Sequence, residues 1–218
     1  MKPASATLRW LQTLKRAYLL ARLKDPAFRF MFDPAPENEW VALDCETTGL
    51  NVRTDEIIAI GAVRIVGNRI MTSERLELLV RPERRVSAKS VCIHHLRERD
   101  VAQGLPIDEA MKRLMHFIGS RPLVGYFLEF DVAMLNRAIA PLLGLGLPQA
   151  KIEVSALYYD YKYRQLSSHV RQDHADIDLR FATLMTDLGL PQRHAHDALN
   201  DAIMAALAFV KLRQLHGD

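Results

Sequence analysis

The sequence predicts an α/β fold, a mixed sheet in which three antiparallel strands lead into parallel ones, with helices packed on it and a helical arm at the N-terminus. Three observations carry that reading. Residues 40–80 are dense in β-branched and alternating apolar residues and contain a two-residue hairpin signal, Gly67-Asn68. After residue 105 the apolar period lengthens to three and four. From there helical segments alternate with short apolar runs, the pattern of helices packed on a sheet.

The elements follow in order. Residues 4–24 lack Gly and Pro and read as a helix, with Leu11, Leu14, Tyr18 and Ala21 on one stripe. Pro26, Pro34 and Pro36 break the period, so 25–38 is a linker or a wrapping segment. Residues 40–44, 56–66 and 69–80 are strands, and the last two pair antiparallel across Gly67-Asn68. Residues 107–119 form a helix with Ile107, Ala110, Met111, Leu114 and Ile118 on one face. Leu123 to Tyr126 is a short buried strand, 129–140 a helix, and 152–154 a strand. Residues 155–165, 177–188 and 198–215 are helices, with Gly189 at a C-terminal position.

Composition bounds what the chain does. Hydrophobic residues make up 49% and charged residues 25% of 218, the balance of a globular chain and not of a disordered one. Two cysteines, Cys45 and Cys92, make no C-x-x-C and no disulfide framework. No apolar run approaches the ~18 residues of a membrane span, and no signal peptide is apparent, so a cytoplasmic location is expected. The net charge of +3 conceals an asymmetry: residues 1–36 hold seven basic and two acidic side chains, and 37–218 hold 22 basic and 24 acidic. The division expected from this is a basic helical leader with a Pro-containing linker, 1–38, and a main domain, 39–218. The leader helix would dock on its own domain or on a sister subunit, making a homodimer, or would touch nucleic acid or a membrane surface.

The carboxylates point to chemistry. Asp44 and Glu46 end the first strand two residues apart and so face the same way, while Cys45 faces the other way into core. Two like charges on one face repel unless a cation lies between them. The following Thr47-Thr48-Gly49 turn can present backbone N–H and hydroxyl groups to a ligand. Asp131 falls on the apolar side of its helix, where a carboxylate needs a partner, a metal or the helix N-terminus. Asp201 shares a helix face with Ala205, Ala208 and Leu212, and the small alanines there let the backbone approach the sheet. His196 lies on the loop leading in, with Asp197 as N-cap. Four acids and a His over three segments suit hard cations such as Mg²⁺ or Mn²⁺ and metal-assisted phosphodiester hydrolysis, with the His taking the proton of the attacking water.

Three segments together resemble the DEDDh-type 3′–5′ exonucleases of the DnaQ-like group, relatives of the proofreading subunit of bacterial DNA polymerase III: Leu43-Asp44-Cys45-Glu46-Thr47-Thr48-Gly49-Leu50, Phe130-Asp131, and His196-Asp197-Ala198-Leu199-Asn200-Asp201. The resemblance spans about residues 39–212. It implies a ribonuclease H-like fold, with Asp44, Glu46 and Asp201 holding one divalent cation and Asp44 with Asp131 a second. It implies His196 as general base. It also implies that Thr47, Thr48, Gly49 and Leu50 meet the 3′-terminal nucleotide, Leu50 as a wedge against a base. The partner implied is nucleic acid, DNA ahead of RNA, within a polymerase or repair complex.

One departure stands out. Many relatives read His-Asn-x-x-Phe-Asp in the second motif, where this chain has Tyr126-Phe127-Leu128-Glu129-Phe130-Asp131. Phe127 either stacks on a base or packs in the core after the strand. Residues 81–99, with six basic and two acidic residues, place Arg84 and Arg85 as contacts to phosphates or simply on a solvated loop. The competing functions are an RNA-directed exoribonuclease of the RNase T or oligoribonuclease kind, and an accessory subunit that holds nucleic acid or a polymerase without cutting.

Overall fold

The computed structural model describes residues 6–83, 98–166, 177–192 and 197–217. Its centre is a five-stranded sheet in the order β3-β2-β1-β4-β5. The strands are β1 (Glu39–Thr47), β2 (Ile57–Val66), β3 (Arg69–Leu79), β4 (Leu123–Gly125) and β5 (Lys151–Glu153). The first three pair antiparallel, and β4 and β5 join β1 in parallel. The expected mixed sheet is therefore observed, including the β2–β3 hairpin across Gly67, whose φ of +59° is the left-handed geometry that a side chain resists.

Two helical layers cover the sheet. On one face lie α3 (Ile107–Ile118) and α4 (Leu128–Leu143), packed on Val41, Leu43 and Cys45 of β1. On the other lie α5 (Val154–Gln165), α6 (Phe181–Asp187) and α7 (Ala198–His216), packed on Ala42 and the β2 residues Val63 and Ile65. The period-two alternation of β1 thus sends odd residues to α4 and even residues to α7. A one-turn helix, α2 (Glu98–Val101), was not anticipated. The α6 helix is shorter than the expected 177–188. The Asp178 carboxylate accepts from the Arg180 amide and the Thr183 hydroxyl, local bonds that compete with an earlier helical start. Gly189, at φ +64°, closes the end of that helix as expected.

The N-terminal segments are built differently from their sequence pattern. In α1 (Ala6–Arg22), Leu14 and Tyr18 of the predicted stripe are exposed, Tyr18 at 59%, while Leu19 and Leu20, with Leu23 just past the helix, lie against the core. Two overlapping stripes fit one helical period here, and the outward-facing Tyr18 hydroxyl accepts from Arg22 (2.9 Å). Of the two readings of 25–38, the structure shows the wrapping one. Residues Pro26–Phe32 form a 3-10 helix capped by Asp25, and Phe28, Met31 and Phe32 are buried in the α3–α4 core.

Candidate active site

The β1 alternation decides where the carboxylates go. Asp44 and Glu46, like Ala42, face α7, and Asp201 in the first turn of α7 comes down on them. One carboxylate oxygen from each of the three lies within 4.8 Å of the others. That proximity depends on Gly61. It sits opposite Asp44 in the β1–β2 register, and a Cβ there would meet the Ala198 carbonyl carbon and the Leu199 nitrogen at 2.2 Å. Only a glycine lets the start of α7 lie on the sheet at this point. Further along, the buried Ala202, Ala205, Ala206 and Ala208 keep the helix equally close. Asp197 caps α7, accepting from the Asn200 amide at 2.9 Å, as its position before the helix predicted.

Asp131 approaches from the opposite layer. It is 5% exposed on α4, and its Oδ1 accepts the Cys45 amide at 3.2 Å, so it reaches over the end of β1 to the strand that carries Asp44 and Glu46. Both expectations for it hold together: it is on the buried side and in the first turn of its helix.

The electrostatics of the group are one-sided. Burial, then the negative charges of Asp131, Asp201 and Glu46, push the Asp44 carboxyl well above its usual range. Glu46, only 9% exposed, is pushed up to about 7 by burial and by Asp201 and Asp197. Asp131 is pushed up to about 8 by burial, although the Cys45 amide works the other way. Carboxylates gathered at this density, with no guanidinium or ammonium of the described residues among the leading influences on Asp44, Glu46 and Asp131, are a donor set for a hard divalent cation, and the residues fit one.

Sequence reasoning missed the supports. The loop after β1 closes around Asp55, which accepts from the Thr48 hydroxyl (3.1 Å) and the Asn51 amide (2.8 Å). A Cβ on Gly49 would lie 2.6 Å from the Asp55 carboxylate. The Thr48 amide donates to Glu56 O and the Thr47 hydroxyl to Gly49 O, so the Thr-Thr-Gly turn spends these donors on its own shape. What it presents outward is Leu50, 86% exposed. Arg137 of α4 donates to the carbonyls of Val52 and Asp55 and ties this loop to the helix that carries Asp131. At the other end of the site, Glu153 accepts the amides of Phe127 (3.0 Å) and Leu128 (2.8 Å), pinning the start of α4. Such long-range pairs have no local signature in the sequence.

Phe127 is not a core residue. It is 64% exposed and stands at φ +52°, immediately before α4. His196, Arg84 and Arg85 lie outside the described residues.

A ribonuclease H-like sheet with clustered carboxylates where β1 meets α7 defines a nuclease-type catalytic domain. The family model described as Exonuclease matches residues 41–209. The chain belongs to that exonuclease family, in its DnaQ-like 3′–5′ group. It is 30% identical over 202 residues to a PolC-type DNA polymerase III of Thermotoga maritima, covering 91% of this chain and 14% of that one. It is also 30% identical over 180 residues to a DNA polymerase III subunit epsilon-like protein of Rhodobacter capsulatus, covering 82% of this chain and 24% of the relative. The chain thus spans no more than about a quarter of the length of these relatives. Among solved structures, the zinc-bound E. coli ExoI–ssDNA complex superposes with a TM-score of 0.67 at 16% identity, over 83% of this chain and 41% of that one. Exonuclease X with 5′-overhanging duplex DNA gives 0.61 at 23% identity, over 82% and 93%. Both show the same fold. No described helix is long and apolar enough to cross a membrane.

Proposed function

We propose that the chain hydrolyses phosphodiester bonds from the 3′ end of single-stranded or frayed DNA and releases nucleoside 5′-monophosphates. The observation that carries this is the Asp44–Glu46–Asp201 group, three carboxylates within 4.8 Å with Asp131 beside them, in a chain of the exonuclease family. Asp44, Glu46 and Asp201 would hold one divalent cation, and Asp44 with Asp131 a second. Mg²⁺ or Mn²⁺ in such positions supplies activation of water and neutralisation of the charge on phosphate and leaving oxygen.

The chain's own side chains do the rest. His196, assigned by its place in the third motif, takes the proton from the water whose oxygen attacks the terminal phosphorus. The bond from phosphorus to the 3′-oxygen of the preceding nucleotide breaks, leaving a shortened strand with a 3′-hydroxyl. Thr47, Thr48, Gly49 and Leu50 border the place of the 3′-terminal nucleotide, with Leu50 against its base, and Phe127 borders it from the other side. Arg84 and Arg85 contact phosphates of the incoming strand. The solved complexes with single-stranded and overhanging DNA named above support a DNA substrate, and the polymerase III relatives support work within a polymerase or repair complex, in the cytoplasm. The exposed Trp10, Leu14 and Tyr18 of α1 support contact of that helix with a second copy of the chain.

The test is digestion of 5′-labelled single-stranded DNA and of matched RNA by the full chain in Mg²⁺ and in Mn²⁺. A ladder shortening from the 3′ end on DNA, abolished by His196→Ala, is the expected result. Release of a labelled mononucleotide at the outset, or intact DNA with degraded RNA, overturns the reading.

A further inference from the structure

The structure carries an unusual aromatic residue at the edge of the carboxylate group. Phe127 is a large apolar side chain exposed to solvent, and its backbone is left-handed, a region that bulky residues avoid. Only one other described non-glycine residue, Asn38, has positive φ, and Asn tolerates it. The strained conformation is imposed by its surroundings: Glu153 takes the amides of Phe127 and Leu128 together, and the Phe127 carbonyl accepts the Phe130 amide. A fold that holds an unfavourable backbone angle in order to put an apolar ring into water is using that ring.

Its position says for what. β4 pairs with β1 in parallel, Val41 with Leu123 and Ala42 with Val124. Gly125 then lies against β1 one residue before Asp44, where a Cβ would be 3.1 Å from the Leu43 carbonyl oxygen, and Glu153, which holds the Phe127 amide, is near enough to Asp131 for its charge to raise that carboxyl. The ring is backed by others. Tyr126 lies 4.5 Å from it, centroid to centroid, and stacks on Phe181 at 4.5 Å and 21°. The Tyr126 hydroxyl is anchored to the Leu179 carbonyl at 2.8 Å. The result is a three-ring row, fixed at its inner end and open at Phe127. Beyond the other end of β1's carboxylate pair comes Leu50, at 86% the most exposed large apolar side chain among the described residues.

We infer that Phe127 is a stacking platform for an unpaired nucleobase of the strand whose end lies at the carboxylates, and that the row Phe127–Tyr126–Phe181 sets a preference for single-stranded ends. Every base has a π-face, so the platform is tolerant of sequence and indifferent to the 2′-hydroxyl. It asks only that the base be free of its partner strand. This rests on the nuclease reading above and names the part of the substrate that the site grips.

The experiment uses the full chain with Ca²⁺ replacing Mg²⁺ to hold the substrate uncut. Single-stranded and blunt duplex DNA are titrated into wild type, Phe127→Ala, Phe127→Asn and Phe127→Trp, and Mn²⁺ binding and kcat are measured alongside. Phe127→Ala is expected to weaken single-strand binding about 5- to 150-fold, the range that stacking on one aromatic supplies. Phe127→Trp retains affinity. Phe127→Asn weakens binding as alanine does yet raises the melting temperature, because it relieves the backbone while removing the ring. Binding within two-fold of wild type in the alanine and asparagine variants overturns the inference. So does a change confined to kcat and Mn²⁺ affinity, which would make Phe127 a positioning residue for Asp131. Wild type that binds no nucleic acid overturns the nuclease reading as well, whereas an active wild type with an indifferent Phe127→Ala overturns the stacking platform alone.

Discussion

The two ends of β1 treat carboxylates in opposite ways. At the start of the strand, Glu39 Oε2 accepts from Arg64 (2.7 Å) and from Arg121 (2.7 Å), and Arg64 also meets Glu74 at 2.6 Å. Burial alone would raise the Glu39 carboxyl, but the hydrogen bonds and charges of Arg121 and Arg64 bring it below its usual range. Five to seven residues later, Asp44 and Glu46 face Asp201 and are pushed upward by burial and by negative neighbours. The first arrangement is complete in itself. The second gathers negative charge among the described residues and suits a cation supplied from outside, and this separates a structural ion pair from a candidate metal-binding set on one strand.

The largest effect expected from disturbing this contrast comes from Asp44→Ala. Cation-assisted charge stabilisation is worth several kcal/mol, so nuclease turnover falls by about 10³-fold or more in Mg²⁺. The same variant, free of metal, melts higher than wild type because one repelling charge is gone, and a lower melting point would contradict the repulsion argued here. Next in size is pH. Glu46 and Asp131 bind their protons more tightly in the folded chain than in the unfolded one, so folding is favoured below the ordinary carboxylate range. That advantage is lost as pH rises through about 7 for Glu46 and about 8 for Asp131. Metal-free protein is expected to lose on the order of 3 kcal/mol between pH 4.5 and 8 in urea titrations, from the Glu46 shift alone, and added Mg²⁺ to recover most of it. A profile without slope in that window would remove the electrostatic account of the site.

Gly61→Ala acts on geometry instead. The new methyl must push the start of α7 off β2, an overpacking that costs about 1–3 kcal/mol, and it carries Asp201 away from Asp44. Calorimetry should show a melting point lower by several degrees, with Mn²⁺ affinity reduced in the fraction that stays folded. An unchanged Mn²⁺ affinity would mean that α7 does not set the spacing. The smallest effect belongs to the other end of the strand. Glu39→Gln keeps an acceptor oxygen but removes the negative charge of a partly exposed pair and should lower stability by about 1 kcal/mol, with no change in turnover or in the pH slope. A change in turnover there would show that the two ends communicate.

Much of this was readable from the chain. The strand period alone set Asp44 and Glu46 on one face and Cys45 on the other. The apolar neighbours of Asp131 marked it as buried, and the alanines of α7 announced a close approach. What could not be read were pairings over long sequence separations. Gly61 looks like any strand glycine until Ala198 is above it. Arg137 is an ordinary helix base until it reaches the Asp55 backbone carbonyl, 82 residues away. Phe127 was visible as a departure, but its left-handed backbone follows from Glu153, 26 residues away, and the core reading of it fails for that reason. In α1 the period was right, but which stripe meets the chain's own core was not legible, because Leu19 and Leu20 compete with Leu14 and Tyr18 for it.

The 3-10 turn of Pro26–Phe32 has a practical consequence for excising the catalytic unit. Strand texture invites a cut at Glu39, where β1 begins. Yet Phe28, Met31 and Phe32 fill the core beneath α3, and the Gln149 amide donates to the Met31 carbonyl at 3.2 Å from within it. Burying three such side chains is worth about 5–9 kcal/mol, against a net stability of about 5–15 kcal/mol for a whole domain. A fragment starting at Glu39 would give up most of its margin, whereas one starting at Asp25 keeps both the cap and the plug.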